Sequence, residues 1–195
     1  MSIEQNESLK YVSLSTDFQA LTPNDQKEVL AMTFQDPKLQ GVLEKSADAY
    51  MQKIRSTLQG DVKDRIEKQY YKADTKERLS ALEVASVAYV YLQARGKQKP
   101  PADRMVGNLR AVEVWYQLQG WEILDEDFLM EFSAPNEQQK ADFQQRFTTD
   151  ILAVGRNTNA VTYEDVDRIL QTEGVLSKAI KDRRAMMDKM KQPNQ

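Results

Sequence analysis

Apolar residues recur along this chain at spacings of three and four, and short polar or proline-bearing breaks divide them into segments. That period belongs to helices with one buried face. The first segment opens at Thr22-Pro23-Asn24-Asp25, a capping residue, a proline suited to the first helical position and an acid in the first turn. Val29, Leu30 and Phe34 follow on one face. Asp36-Pro37 repeats the device at once, so the chain must turn sharply there. Leu39, Val42, Leu43, Tyr50, Ile54 and Leu58 then form a long amphipathic stripe, which Gly60-Asp61 is expected to break. Val62, Ile66, Gln69 and Tyr70 mark a shorter, very polar helix, or else the two helices run on as one long rod.

Asp74 and Glu77 have the spacing of a capping box. Behind them, residues 79–94 carry Glu83 as their single charge and are apolar on nearly every side. A helix of that kind is buried on nearly every side, so this segment is expected to be the central helix, ended by Gly96. Residues 97–103 form a basic, proline-stiffened loop. Met105, Leu109, Val112 and Tyr116 share the next helical face, and Gly120 ends or kinks it. Asp125 is placed to cap a short turn with Phe128, Leu129 and Phe132. Ser133-Ala134-Pro135 starts a helix with Phe143, Phe147, Ile151 and Val154, closed by Gly155. Thr162 to Asp165 is a further capping box, ahead of Val166, Ile169 and Leu170, and Gly174 separates a last helix, 175–191.

There is no β-alternation of useful length and no internal repeat. The expected fold class is all-α: a single compact multi-helix bundle of about seven or eight helices around a buried central helix. Residues 1–16 are expected to be an N-terminal extension, partly disordered, 17–174 the helical domain, and 175–195 a basic, Met-rich amphipathic helix and tail.

Composition narrows the chemistry. The chain of 195 residues has no His and no Cys. Ser-His-Asp and Cys-His nucleophilic catalysis therefore lack a base or a thiolate, and the usual ligands of structural zinc, iron–sulfur clusters and haem are missing. No glycine-rich phosphate loop is present. A net charge of −3 with both signs mixed argues against general nucleic-acid binding, which needs a broad basic face. No apolar run is long enough to cross a bilayer, and Glu4 and Glu7 stand where a signal peptide needs positive charge. The expected location is the cytoplasm.

Three patterns could carry function. Glu122 with Asp125 and Glu164 with Asp167 are acid pairs at helical spacing, the kind that hold Mg²⁺ in all-α phosphohydrolases, but no facing Glu-rich pair accompanies them. Residues 157–170 echo the second half of a calcium loop, yet Val154, Arg156 and Thr158 occupy the earlier ligand positions, so Asp165 is better explained as a helix cap. The strongest pattern is a surface one. Trp115, Trp121 and Phe128 lie close together in the sequence. On the last helix Val175, Leu176, Ile180, Met187 and Met190 define an apolar stripe, and Arg183, Arg184 and Met186 help make the helix basic and soft. The alternative is that the tryptophans fill the core and the stripe docks on the bundle. Tryptophan and arginine dominate interface hot spots, and methionine adapts to several partners.

LTPNDQKEVLAMTF (21–34) and NLRAVEVWYQLQGW (108–121) also resemble parts of the all-helical carotenoid-binding domain of cyanobacterial photoprotection proteins, over about a sixth of the chain. Ala31 and Phe34 stand where that family has a Trp and Tyr pair, and no family is assigned on this resemblance. The expected function is a non-enzymatic protein–protein interaction module, an adaptor, regulator or assembly factor, with no metal and no cofactor. Its partner would be another protein, a second copy of the chain included. The alternatives are a carrier of a small apolar ligand near Trp115 and Trp121, and an Mg²⁺-dependent phosphohydrolase.

Overall fold

The computed structural model describes residues 12–58, 64, 80–95 and 137–192. These residues contain six helices and no strand: α1 Thr16–Gln19, α2 Pro23–Thr33, α3 Pro37–Ile54, α4 Ala81–Arg95, α5 Glu137–Asn157 and α6 Tyr163–Lys191. The described chain is thus helical as its periodicity requires, with six helices where the whole sequence suggests seven or eight. Of the expected helix over 62–70 only residue 64, which is helical, is described; the expected helix over 105–120, the turn over 125–132 and the Asp74–Glu77 box lie outside the described residues.

Capping chemistry sets the starts. Thr22 Oγ1 accepts from Asp25 N at 3.4 Å, and Asp36 Oδ1 accepts from Lys38 N at 2.9 Å, each cap followed by a proline in the first turn. Each cap satisfies a backbone donor that the helix itself leaves free. The short helix α1 has no counterpart among the expected elements. Ser15 caps it, accepting from Phe18 N at 3.1 Å. A four-residue helix is too short to show a period, so its signal was only the Ser-Thr-Asp run at its start.

α4 also begins differently from the expectation. Ser80 and Glu83 form a reciprocal box, with Ser80 N donating to Glu83 Oε2 at 2.7 Å and Glu83 N donating to Ser80 Oγ at 3.2 Å. Glu44 of α3 reaches across to take the Leu82 N–H at 3.1 Å. Burial pushes the Glu44 carboxyl above its ordinary value, and the bond from Leu82 opposes the rise. Along α4, Val84, Ala85, Ser86, Ala88 and Tyr89 are all buried. Three consecutive buried positions sweep about 200° around a helix, so α4 is enclosed on more than one face, as its lack of charge implies.

The main core joins α3, α4, α5 and α6 through Leu39, Leu43, Met51, Val84, Phe147, Ile151, Leu152 and Ile169 among others. Within it, Tyr89 packs edge-on against Phe143 and Phe147, with ring centroids 6.1 and 5.6 Å away. Its hydroxyl donates to Asp150 Oδ2 at 2.8 Å. Burial, and then the Asp150 charge, raise the Tyr50 and Tyr89 hydroxyls well above the ordinary tyrosine value. Both stay neutral, and the aromatic payload fills the core.

Two glycines act otherwise than the sequence suggests. Gly155 does not close α5, which runs on to Asn157. It faces Ser46 of α3, and a Cβ there would lie 2.9 Å from the Ser46 Cα. The two helices cross where the Ser46 side chain fills the gap and leaves no room for one on residue 155. The chain leaves α5 two residues later at Asn159, whose φ of 56° is left-handed, while Ala160 N and Val161 N return to the Gly155 carbonyl. Asparagine tolerates that conformation better than most residues. Gly174 does not separate two helices either. α6 passes through it unbroken for 29 residues. One glycine costs a helix only about 1 kcal/mol, which docking against the body offsets.

A second, smaller core lies where α6 meets the start of the chain. Leu14, Phe18, Leu21, Val29, Leu30 and Ile180 form it, with Leu170 and Leu176 partly buried beside them. Residues 12–15, which the sequence assigns to an extension, carry buried Leu14, part of this core, and buried Val12, which joins the main one. Residues 1–11 lie outside the described part.

Candidate functional site: the free end of the last helix

α6 starts at a capping box. Asp165 N donates to Thr162 Oγ1 and Thr162 N to Asp165 Oδ2, both at 3.1 Å. These bonds hold the Asp165 carboxyl below its ordinary value. The acid that echoed a calcium loop is thus engaged as a cap. Glu164 and Asp167 beside it are exposed, and the Glu122 and Asp125 pair lies outside the described residues. Among the described residues no group of three or more metal-binding side chains gathers.

From this start Val166, Ile169, Glu173, Ser177 and Ile180 are buried, at steps of three and four, so one stripe of α6 lies against the body. Ile180 is the last buried position; every residue from 181 to 192 is exposed. Two ion pairs fasten the helix just beyond it. Lys181 Nζ donates to Asp17 Oδ1 at 2.8 Å. Arg184 grips Asp25 with two parallel bonds, Nη2 to Oδ1 at 2.7 Å and Nε to Oδ2. Past Arg184, α6 continues for seven residues, which at about 1.5 Å per residue extends it roughly 10 Å.

This free end carries Met186, Met187 and Met190, 66%, 50% and 81% exposed. Met187 lies seven residues past Ile180 and prolongs the docked stripe. Met190 lies about 80° and Met186 about 120° round the helix from Ile180, on the flank away from the docked stripe, with Val175 three turns behind Met186 and 70% exposed. The stripe that the sequence shows as one face, Val175 through Met190, is therefore two faces: Leu176 and Ile180 are packed, and Val175 points away. From 181 to 191 five cations stand against two carboxylates, in a chain whose net charge is −3.

The structure sorts the sequence candidates. Met186, Met187, Met190 and Arg183 sit together on the exposed end. Arg184 is a fastening, because its guanidinium is held by Asp25. Trp115, Trp121 and Phe128 lie outside the described residues. Two important acids escaped the sequence. Asp25 reads as a first-turn acid but has a side chain only 5% exposed. Glu173 is fully buried on the docked stripe; an acid in line with Val166, Ile169 and Ile180 was its signal.

The Arg184 bonds hold the Asp25 carboxyl below its ordinary value of 3.8. A carboxyl depressed on folding stabilises the fold above its ordinary value and loses that contribution as pH falls through the folded value. Arg184→Ala should cost about 1–2 kcal/mol at neutral pH, because it leaves a buried carboxylate without its partner while the lost arginine was itself half-exposed. Asp25→Asn should flatten the stability change below pH 3.8. Denaturant titrations at pH 7 and pH 3 check both.

No helix among the described residues is long and apolar enough to cross a membrane. Comparison of the chain with models of protein families, with curated proteins and with solved structures finds no match in any of the three.

Proposed function

We propose that this protein works by contact with another protein, and that the free end of α6 is a surface through which it does so. The carrying observation is the exposure of Met186, Met187 and Met190 on a helix whose preceding turns are fastened to the body. An anchored helix loses little freedom on binding, so less of the contact energy is spent on ordering it. Methionines supply adaptable apolar area, and Arg183, Lys189 and Lys191 orient an approaching partner. The absence of imidazole and thiol from the whole chain supports contact over covalent catalysis.

A photo-crosslinking residue placed at Met187 or Met190, in the full chain in its native cells, tests the reading. A defined protein adduct is expected at these positions and not at exposed Lys178, whose side of α6 lacks methionines. An adduct of twice the chain's mass identifies the partner as a second copy. Labelling no stronger at 187 and 190 than at 178 would sink the proposal.

A further inference from the structure

Residues 12–21 pack on α6 and are attached to it by the exposed Lys181–Asp17 ion pair and by one buried carboxyl. Glu173 is fully buried in the middle of α6. Its Oε1 accepts from Ser15 Oγ at 3.1 Å and from Ser177 Oγ at 3.3 Å, and its Oε2 accepts from Ser15 N at 3.4 Å. All three donors are neutral, and none of these contacts is a cation. Among the described residues, the charge bearing on Glu173 is that of Asp17 on α1, which is also acidic. Lys178, the next lysine on α6, is exposed about 140° round the helix from Glu173, Lys181 is bound to Asp17, and on the α2 side Arg184 is bound to Asp25. α3 and α5 also pack on α6, and among their described residues no charge acts appreciably on this carboxyl.

Around Glu173 the segment is otherwise held by apolar contact and by groups indifferent to pH near neutrality. Leu14, Phe18 and Leu21 pack with Ile180 and Leu176, and Gln26 Nε2 donates to the Phe18 carbonyl at 3.1 Å. The geometry points to a strap: we propose that residues 12–21 close on α6 when Glu173 carries a proton and loosen when it gives the proton up.

The physical reason is the asymmetry between the two states. A serine hydroxyl can donate or accept, so Ser15 and Ser177 satisfy a protonated carboxyl as well as an ionised one. An ionised carboxylate in the same place has lost its water and gained no opposite charge, which is costly. Burial accordingly pushes Glu173 above its ordinary value of 4.5, and the serine bonds oppose the rise without cancelling it. A carboxyl raised on closing contributes its full stabilisation below pH 4.5, and that contribution is lost as pH rises through the closed-state value. Opening lets water reach the carboxylate. It also uncovers Leu176 and Ile180, which run on into Met187 and would lengthen the apolar face of α6. That last consequence rests on the function proposed above; the strap itself does not.

The chain has no cysteine, so a single Leu14→Cys variant puts one thiol beneath the strap. Its labelling rate, divided by that of an exposed Lys178→Cys control at each pH, reports opening alone. The protection should fall by up to about tenfold per pH unit above pH 4.5, until Glu173 is fully ionised in the closed form. Adding Glu173→Gln should leave protection high and independent of pH. A flat ratio from pH 4.5 to 8 without that substitution, or an unchanged slope with it, overturns the proposal. If Glu173→Gln does not fold, carbon NMR of the Glu173 carboxyl in the unsubstituted chain is compared with amide exchange over 15–21, corrected for intrinsic rates. A shared midpoint supports the strap and separate midpoints overturn it.

Discussion

Phe18→Ala should destabilise the fold by about 3–5 kcal/mol, the largest effect expected of a single substitution at the start of the chain. Phe18 is wholly buried and is the largest side chain of the smaller core, where Leu14, Leu21, Val29, Leu30 and Ile180 surround it. Truncation removes the ring's transfer free energy and leaves a cavity that four separate segments would have to move to fill. The loss should be concentrated where the ring acts. Amide exchange should rise over 12–21 and over the turns of α6 around Ile180, while α3, α4 and α5 keep their protection, because their core is a separate cluster. Uniform loss across both cores, or a denaturant midpoint within error of the unsubstituted chain, would contradict the division.

Gly155→Ala should also be strongly destabilising, by about 2 kcal/mol, although alanine is the better helix former. In an exposed helix the change would gain about 1 kcal/mol. Here the added Cβ would sit 2.9 Å from the Ser46 Cα, a separation that a rotamer change cannot relieve. α3 and α5 must move apart, and overpacking of this kind costs about 1–3 kcal/mol, toward or beyond the upper end where backbone is the obstacle. Ser46→Gly in the same chain removes the hydroxyl and the Cβ but not the Cα, so it should restore only part of the loss. Thermal unfolding of the two single variants and the double variant measures this. A Gly155→Ala protein as stable as its parent would mean that the helices do not cross this closely.

Both expectations turn on features that local pattern hides. The Thr22, Asp36 and Thr162 caps are read correctly from sequence because a cap bonds within three residues of itself. The stripes of α3 and α5 are equally local: their buried residues recur at the period of the helix they belong to. Ser80 and Glu83 also have the spacing of a box, but Asp74 and Glu77 present the same signal six residues earlier. Only the tertiary pairing of α4 with Glu44 distinguishes where the described helix starts.

Gly155 and Gly174 show the limit from the other side. A glycine in a helical pattern signals either an end or a close approach, and the sequence alone does not separate the two. Gly155 is a close approach to a residue 109 positions earlier. Gly174 is neither an end nor a tight contact, since the nearest side-chain atom a Cβ would meet is Ser15 Cβ at 4.0 Å. Of the proposed contact surface, the basic, Met-rich character of the last helix is legible from its composition, whereas the choice between docking on the body and exposure is not: Ile180 is buried while Met186, Met187 and Met190 are exposed. Arg184 was grouped with them because an arginine's partner is not written in its own neighbourhood.

The amino-acid order by itself determined the helical class, the starts of α2, α3 and α6 and the kinds of chemistry the chain lacks, because helix periodicity, capping and residue inventory are local properties. The tertiary structure alone decided which acids are buried, which cations are fastened and where α6 leaves the body. Those outcomes depend on groups more than 150 positions apart, Ser15 with Glu173, Asp17 with Lys181 and Asp25 with Arg184, being brought within hydrogen-bonding distance. The energy of such a pair is set by burial and by what stands opposite, and neither exists until the chain has folded.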